Sequence, residues 1–108
     1  MLDHYVSLYV PTTVYNTAAP ESLVDSVKSI VLKSLCQLFG GVTVTIGEGG
    51  YLSESGEIIV EKIYICKSFS SEITAAQLDE VKSLAQTIKT ELNQESVSIE
   101  IDNTLDFI

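Results

Sequence analysis

Arginine and tryptophan are absent from this chain of 108 residues, histidine and methionine occur once each, and proline and cysteine twice each. Without arginine there is no bidentate fork for phosphate, carboxylate or guanine recognition. All six positive side chains are lysines (Lys28, Lys33, Lys62, Lys67, Lys82, Lys89) set against 15 acidic ones, for a formal charge of -9. A polyanion would meet net repulsion with little counterion release, so no nucleic acid partner is expected. The same charge argues against anionic membrane surfaces, and the apolar runs are too short to span a bilayer. Met1-Leu2-Asp3-His4 lacks the basic start of a signal peptide, which points to the cytoplasm. Cys36 and Cys66 match no metal or redox spacing and fit reduced thiols. Neither a metal nor a cofactor is expected.

What the chain does have is 45% hydrophobic residues and a mean hydropathy of +0.27. A chain of this length buries roughly two-thirds of its unfolded surface, enough for one packed core, so residues 1–108 are read as one domain. Val6, Leu8 and Val10 alternate with Tyr5, Ser7 and Tyr9 in a first strand that Pro11 ends. A loop over 12–19 follows, including Tyr15 and Asn16. Pro20 then opens a helix to Phe39 whose stripe is Leu23, Val27, Ile30, Val31, Leu35 and Leu38, stopped by Gly40-Gly41. Val42, Val44 and Ile46 mark a second strand, broken by Gly47-Glu48-Gly49-Gly50. Ser53-Glu54-Ser55-Gly56 reads as a hairpin turn into a third strand from Glu57 to about Phe69. Thr74-Ala75-Ala76-Gln77 is a capping box that opens a second helix to Leu92, with stripe Leu78, Val81, Ala85, Ile88 and Leu92. Val97, Ile99 and Ile101 form a last strand before a tail over 103–108.

The order strand, helix, strand, strand, helix, strand predicts a ferredoxin-like α+β sandwich: a four-stranded antiparallel sheet with two helices on one face. The first and third strands lie in its centre and the second and fourth at its edges. Val6, Leu8 and Val10 face the helices, and Tyr5, Tyr9, Thr43 and Thr45 face away. The third strand is apolar on both sides. With Ile59, Ile63 and Ile65 assigned to the helix side, Ile58, Val60, Tyr64 and Cys66 fall on the open side. Such a face is too apolar to stay wet, which suggests a homo-oligomer, a partner surface or a ligand surface. The off-stripe helix flank at Leu32, Cys36 and Phe39 is a second candidate for self-association.

Three tyrosines on central strands have the look of a base-stacking platform, but the basic surround is missing. The glycine clusters do not lie between a strand and a helix start, so they read as caps and bulges rather than phosphate loops. His4 has no nucleophile beside it in any motif, and Cys66 beside Lys62 reads first as an apolar filler. Glu54, Glu57 and Glu61 cluster around the hairpin, and Glu100, Asp102 and Asp106 near the end of the chain. Acidic groups of this kind form a solvated rim or a surface that docks on a basic protein.

Leu38-Phe39-Gly40-Gly41-Val42-Thr43, then Gly50-Tyr51, Gly56 and Glu61, resembles the pattern of a small bacterial and phage family with a Phe-Gly-Gly-x-Thr stretch. The resemblance implies a phage or mobile-element setting, in which small acidic proteins bind and block host factors. Two functions are therefore expected to compete. In one, a non-enzymatic acidic protein uses a surface around Glu54, Glu57, Glu61, Glu100 and Asp102 to dock on a basic host protein and block or sequester a defence factor. In the other, Tyr5, Tyr9, Tyr51 and Tyr64, with the loop from Thr12 to Thr17, line a pocket for a metabolite or nucleotide signal at the open sheet face or a dimer seam. Tyr51 is expected either to pack under the hairpin or to reach a partner.

Overall fold

A computed structural model describes residues 1–14 and 17–108. Its elements are β1 (His4–Pro11), β2 (Thr13–Val14), β3 (Thr17–Ala18), α1 (Glu21–Phe39), β4 (Thr43–Leu52), β5 (Ile58–Ser70), α2 (Ala75–Glu91), β6 (Ser98–Ile101) and β7 (Thr104–Phe107). The fold is a ferredoxin-like α+β sandwich whose antiparallel sheet runs β4-β5-β1-β6-β7, with β2 and β3 forming a separate small ribbon. Of the loop expected over 12–19, Tyr15 and Asn16 lie outside the described residues.

Both helix ends follow from local chemistry. Gly40 adopts φ 89° and donates its N–H to the Cys36 carbonyl at 2.8 Å, closing α1 as a left-handed cap. At the start of α2, Gln77 N–H donates to Thr74 Oγ1 at 3.1 Å and Thr74 N–H donates to Gln77 Oε1 at 2.9 Å. The stripes of the two helices meet β1: Val27, Val31, Leu35, Val81, Ala85 and Ile88 close over Val6, Leu8 and Val10, all of them nearly or fully buried. On α1 the buried stripe takes in Val24, whereas Ile30, placed on the stripe by its spacing, is 46% exposed. Among the described residues no helix is long and apolar enough to cross a membrane.

Four expectations change. Residues 104–107 are not a tail but a fifth strand, paired through Ile99↔Asp106 and Glu100↔Leu105, so β6 is interior and β7 is the edge. The reversal is made by Asp102, which takes φ 55°, a left-handed value that a short polar side chain tolerates. The glycines of 47–50 do not break β4, which pairs with β5 without interruption from Thr43↔Lys67 to Leu52↔Ile58. A Cβ at Gly47 would stand 3.2 Å from Ile65 Cδ1, so glycine lets the β5 isoleucines lie across the β4 backbone. Lastly, the two faces of β5 are reversed from the expected assignment. Cys66 lies opposite Leu8 and Tyr64 opposite Val10. Directly opposed residues share a face, so Cys66 and Tyr64 point to the helices and Ile63 and Ile65 to the open side. Cys66 is wholly buried, and burial pushes its thiol up to about 11. Lys28 of α1 lies 4.1 Å from the centre of the Tyr64 ring, which fixes that ring on the helix side.

Candidate functional site

The open face of the sheet is built in rows across the central strands. Phe69 lies beside Tyr5, Lys67 beside Ser7, Ser7 in turn beside Glu100, and Ile65 beside Tyr9. Ser7 is the small residue of the middle row and is 2% exposed, roofed by its larger neighbours. The Tyr5 and Phe69 rings meet tilted, with centroids 6.0 Å apart, and the Lys67 ammonium lies 4.0 Å from the Tyr5 centroid.

Glu100 is the electrostatic centre of this face. Tyr5 donates its hydroxyl to Glu100 Oε2 at 3.3 Å, and Tyr9 donates to Glu100 Oε1. Ionising either phenol would set a second negative charge against this carboxylate. Accordingly, the hydrogen bond to Glu100, together with burial, pushes the Tyr9 phenol up to about 12. Tyr5 is raised as well, chiefly by burial and then by the charge of Glu100. Both phenols therefore stay neutral donors and hold the carboxylate in place.

Beside this cluster the face opens into a groove of about 230 Å³, lined among others by Tyr9, Gly49, Gly50, Tyr51, Glu61 and Ser98. Gly49 and Gly50 leave its β4 wall without side chains. Glu61 reaches in from β5 and accepts a hydrogen bond from the Thr13 hydroxyl. Gln94 closes the far side, its amide donating to the Thr13 carbonyl at 2.7 Å and the Leu92 carbonyl at 2.9 Å. The groove thus carries one carboxylate inside it and a second beside Tyr9, with aromatic surface between, a combination suited to a small cationic ligand that has a flat apolar part.

Of the residues expected to form a site, Tyr9, Tyr51 and Glu61 are brought together here, and Tyr5 joins them through Glu100. Tyr64 is not, because it faces α1. Glu54 and Glu57 stand exposed at the hairpin tip, where Glu57 N–H donates to Ser53 Oγ at 3.1 Å, so the expected trio with Glu61 is divided. Tyr51 is 49% exposed on the open side and does not pack under the hairpin. Glu100, expected on an acidic docking surface, instead holds the Tyr5 and Tyr9 hydroxyls, and Gln94 and Ser98 join the groove with no motif to mark them. No cluster of three or more metal-ligating side chains is found among the described residues. At the other end of β1, His4 Nδ1 lies 3.1 Å from Asp102 Oδ2, and Tyr5 N–H donates to Asp102 Oδ1 at 3.0 Å. The hydrogen bond to Asp102 raises the His4 pKa, and the bond from His4 lowers that of Asp102.

No protein-family model and no curated protein sequence matches the chain. Solved structures share its fold. A phage SAM lyase in complex with S-methyl-5'-thioadenosine superposes with TM-score 0.71 and 18% identity, over 97% of this chain and 88% of that one. CutA from Synechococcus elongatus gives 0.53 and 16% identity over 94% and 76%. The periplasmic divalent cation tolerance protein CutA from Archaeoglobus fulgidus gives 0.50 and 14% over 91% and 79%.

Proposed function

We propose that the open-face groove binds a 5'-thioadenosine metabolite, with S-adenosylmethionine as the form its charge favours. In this reading the protein works in a phage setting, in the host cytoplasm, by removing that metabolite. The observation that carries the reading is a groove lined by Tyr9, Tyr51 and the Glu61 carboxylate, with Glu100 held beside it by the Tyr9 hydroxyl. A sulfonium is a permanent cation, attracted both by carboxylates and by ring faces, and an adenine needs a flat apolar wall. The fold shared with a phage SAM lyase that holds S-methyl-5'-thioadenosine supports the same class of ligand. Removal of a methyl donor would act on host defence without a protein partner.

Calorimetry tests the reading: saturable binding of S-methyl-5'-thioadenosine is expected in the wild type and its loss in Tyr51→Ala, while Glu61→Gln should weaken S-adenosylmethionine, which carries the cation, more than S-methyl-5'-thioadenosine. Because Tyr51 is half exposed, its truncation should move the melting temperature little. Failure to bind either S-adenosylmethionine or S-methyl-5'-thioadenosine would refute it. Incubation with S-adenosylmethionine then separates two modes of action. Release of S-methyl-5'-thioadenosine assigns a lyase, and binding without release assigns a non-enzymatic ligand-binding protein, the small-ligand alternative expected from the sequence.

Docking on a basic host protein is the second reading, favoured by the exposed Glu54 and Glu57 and the charge of -9. Capture from host lysate that weakens steeply with salt is its expected signature. Self-association is proposed through the helix side of the β4–β5 arm, where Ile46, Leu52, Ile58 and Val60 are 55% to 68% exposed. Light scattering should report more than one copy.

A further inference from the structure

Gln94 joins the groove where α2 ends. Asn93 takes a left-handed φ of 49°, and the Gln94 N–H donates to the Lys89 carbonyl at 2.9 Å, so the backbone that carries this side chain is fixed by the last turn of the helix. The side-chain nitrogen then donates to two main-chain carbonyls, that of Thr13 at 2.7 Å and that of Leu92 at 2.9 Å. A primary amide carries two hydrogens on its nitrogen, and both are spent. The opposite orientation would set the amide oxygen against those two carbonyl oxygens, so the fold dictates the polarity of the group. Among the described residues nothing donates to Gln94 Oε1, which leaves that oxygen as the atom with which this lining residue can meet a ligand.

Other groups of fixed polarity around the groove have the same sign. Tyr9 gives its hydroxyl hydrogen to Glu100, and Glu61 is a carboxylate that accepts from Thr13. A wall closed by an oriented acceptor favours a ligand edge that donates to it. In a thioadenosine the base carries one such donor, its 6-amino group. The ribose hydroxyls rotate to donate or accept and need no amide held in one orientation. A 6-oxo purine would put a carbonyl where the amino group stands, acceptor against acceptor. We infer that Gln94 is the base-reading residue of the groove, its Oε1 accepting a hydrogen bond from the 6-amino group of adenine.

This assignment rests on the thioadenosine reading of the groove and adds a specificity to it. The probes are S-methyl-5'-thioadenosine and its 6-deamino analogue, in which hydrogen replaces the amino group. In the wild type the analogue should bind roughly tenfold more weakly, the scale of one lost hydrogen bond. In Gln94→Met, which keeps the length of the side chain without its amide, that ratio should collapse to about twofold or less, whatever loss the two ligands share through the freed Thr13 and Leu92 carbonyls. A side chain that only braces those carbonyls would weaken both ligands alike and keep the ratio near tenfold, and that result overturns the assignment while leaving the groove intact. Equal affinity of the two ligands in the wild type overturns it as well, in a comparison that needs no variant to fold. A wild type that binds neither S-adenosylmethionine nor S-methyl-5'-thioadenosine overturns the groove reading itself, and the role of Gln94 with it.

Discussion

The Glu100 cluster makes a prediction that needs no ligand. Replacing Glu100 by Gln removes the negative charge that opposes ionisation of Tyr5 and Tyr9 while keeping an acceptor for their hydroxyls. Tyr9 stands at about 12 against an ordinary value of 10.0, and its largest cause is the hydrogen bond to Glu100. At about pH 11, a phenol with pKa 12 is about 9% ionised and one with pKa 10 about 91%. The substitution should therefore release up to about 0.8 phenolate per chain from Tyr9, the residual burial of its ring keeping the gain below that ceiling. Tyr5 adds to the change in the same direction. Alkaline titration followed by the ultraviolet absorbance of phenolate reads the difference directly, with circular dichroism confirming that the fold survives at the same pH. Tyr9→Phe in the wild-type background should remove the latest-titrating component. Superposable curves for wild type and Glu100→Gln would refute the argument that this carboxylate organises the open face.

Two further perturbations address other parts of the molecule. With exposed Cys36 and wholly buried Cys66, a thiol reagent at about pH 8 should modify one thiol per chain quickly and the second only after denaturant is added; rapid native reaction of both would contradict the placement of Cys66. The His4 pKa is raised above 6.5 in the folded state, so its stabilising contact with Asp102 is fully present below that value and lost as pH rises through the folded pKa. Asp102 is shifted down from 3.8, so its own contribution is present above that value and lost on acidification. The melting temperature of His4→Gln should lie below wild type near pH 5.5 and converge with it by about pH 9; a gap independent of pH would show that the contact is not ionic.

Much of the fold was legible because the strong signals were local. The capping box at Thr74, the left-handed stop at Gly40 and the turn at Gly56, with φ 86°, each act within a few residues. The β5 assignment failed because Ile63, Tyr64, Ile65 and Cys66 are all apolar, so alternation alone could not orient the strand; only pairing with β1 places Cys66 beside Leu8. The fifth strand was missed because Leu105 and Phe107 remain 52% and 61% exposed, although they alternate with Thr104 and Asp106 as a strand requires. At the site, the outward parity of Tyr5 and Tyr9 was readable and so was that of Glu100 between Ile99 and Ile101. What alternation does not show is that both hydroxyls converge on one carboxylate across β1 and β6.

The placement of β1 bears on how the protein is made. Its partners are β5 and β6, and Leu8 does not meet Ile99 until 91 further residues have been added. At ordinary synthesis rates that is on the order of 5–18 s for a newly made chain. During this interval the two helices and the β4–β5 hairpin can form from contacts close in sequence, while the Val6, Leu8 and Val10 row has no completed sheet to enter. The nascent strand is thus an adhesive segment awaiting its last neighbour, open to mispairing for as long as translation takes to supply it.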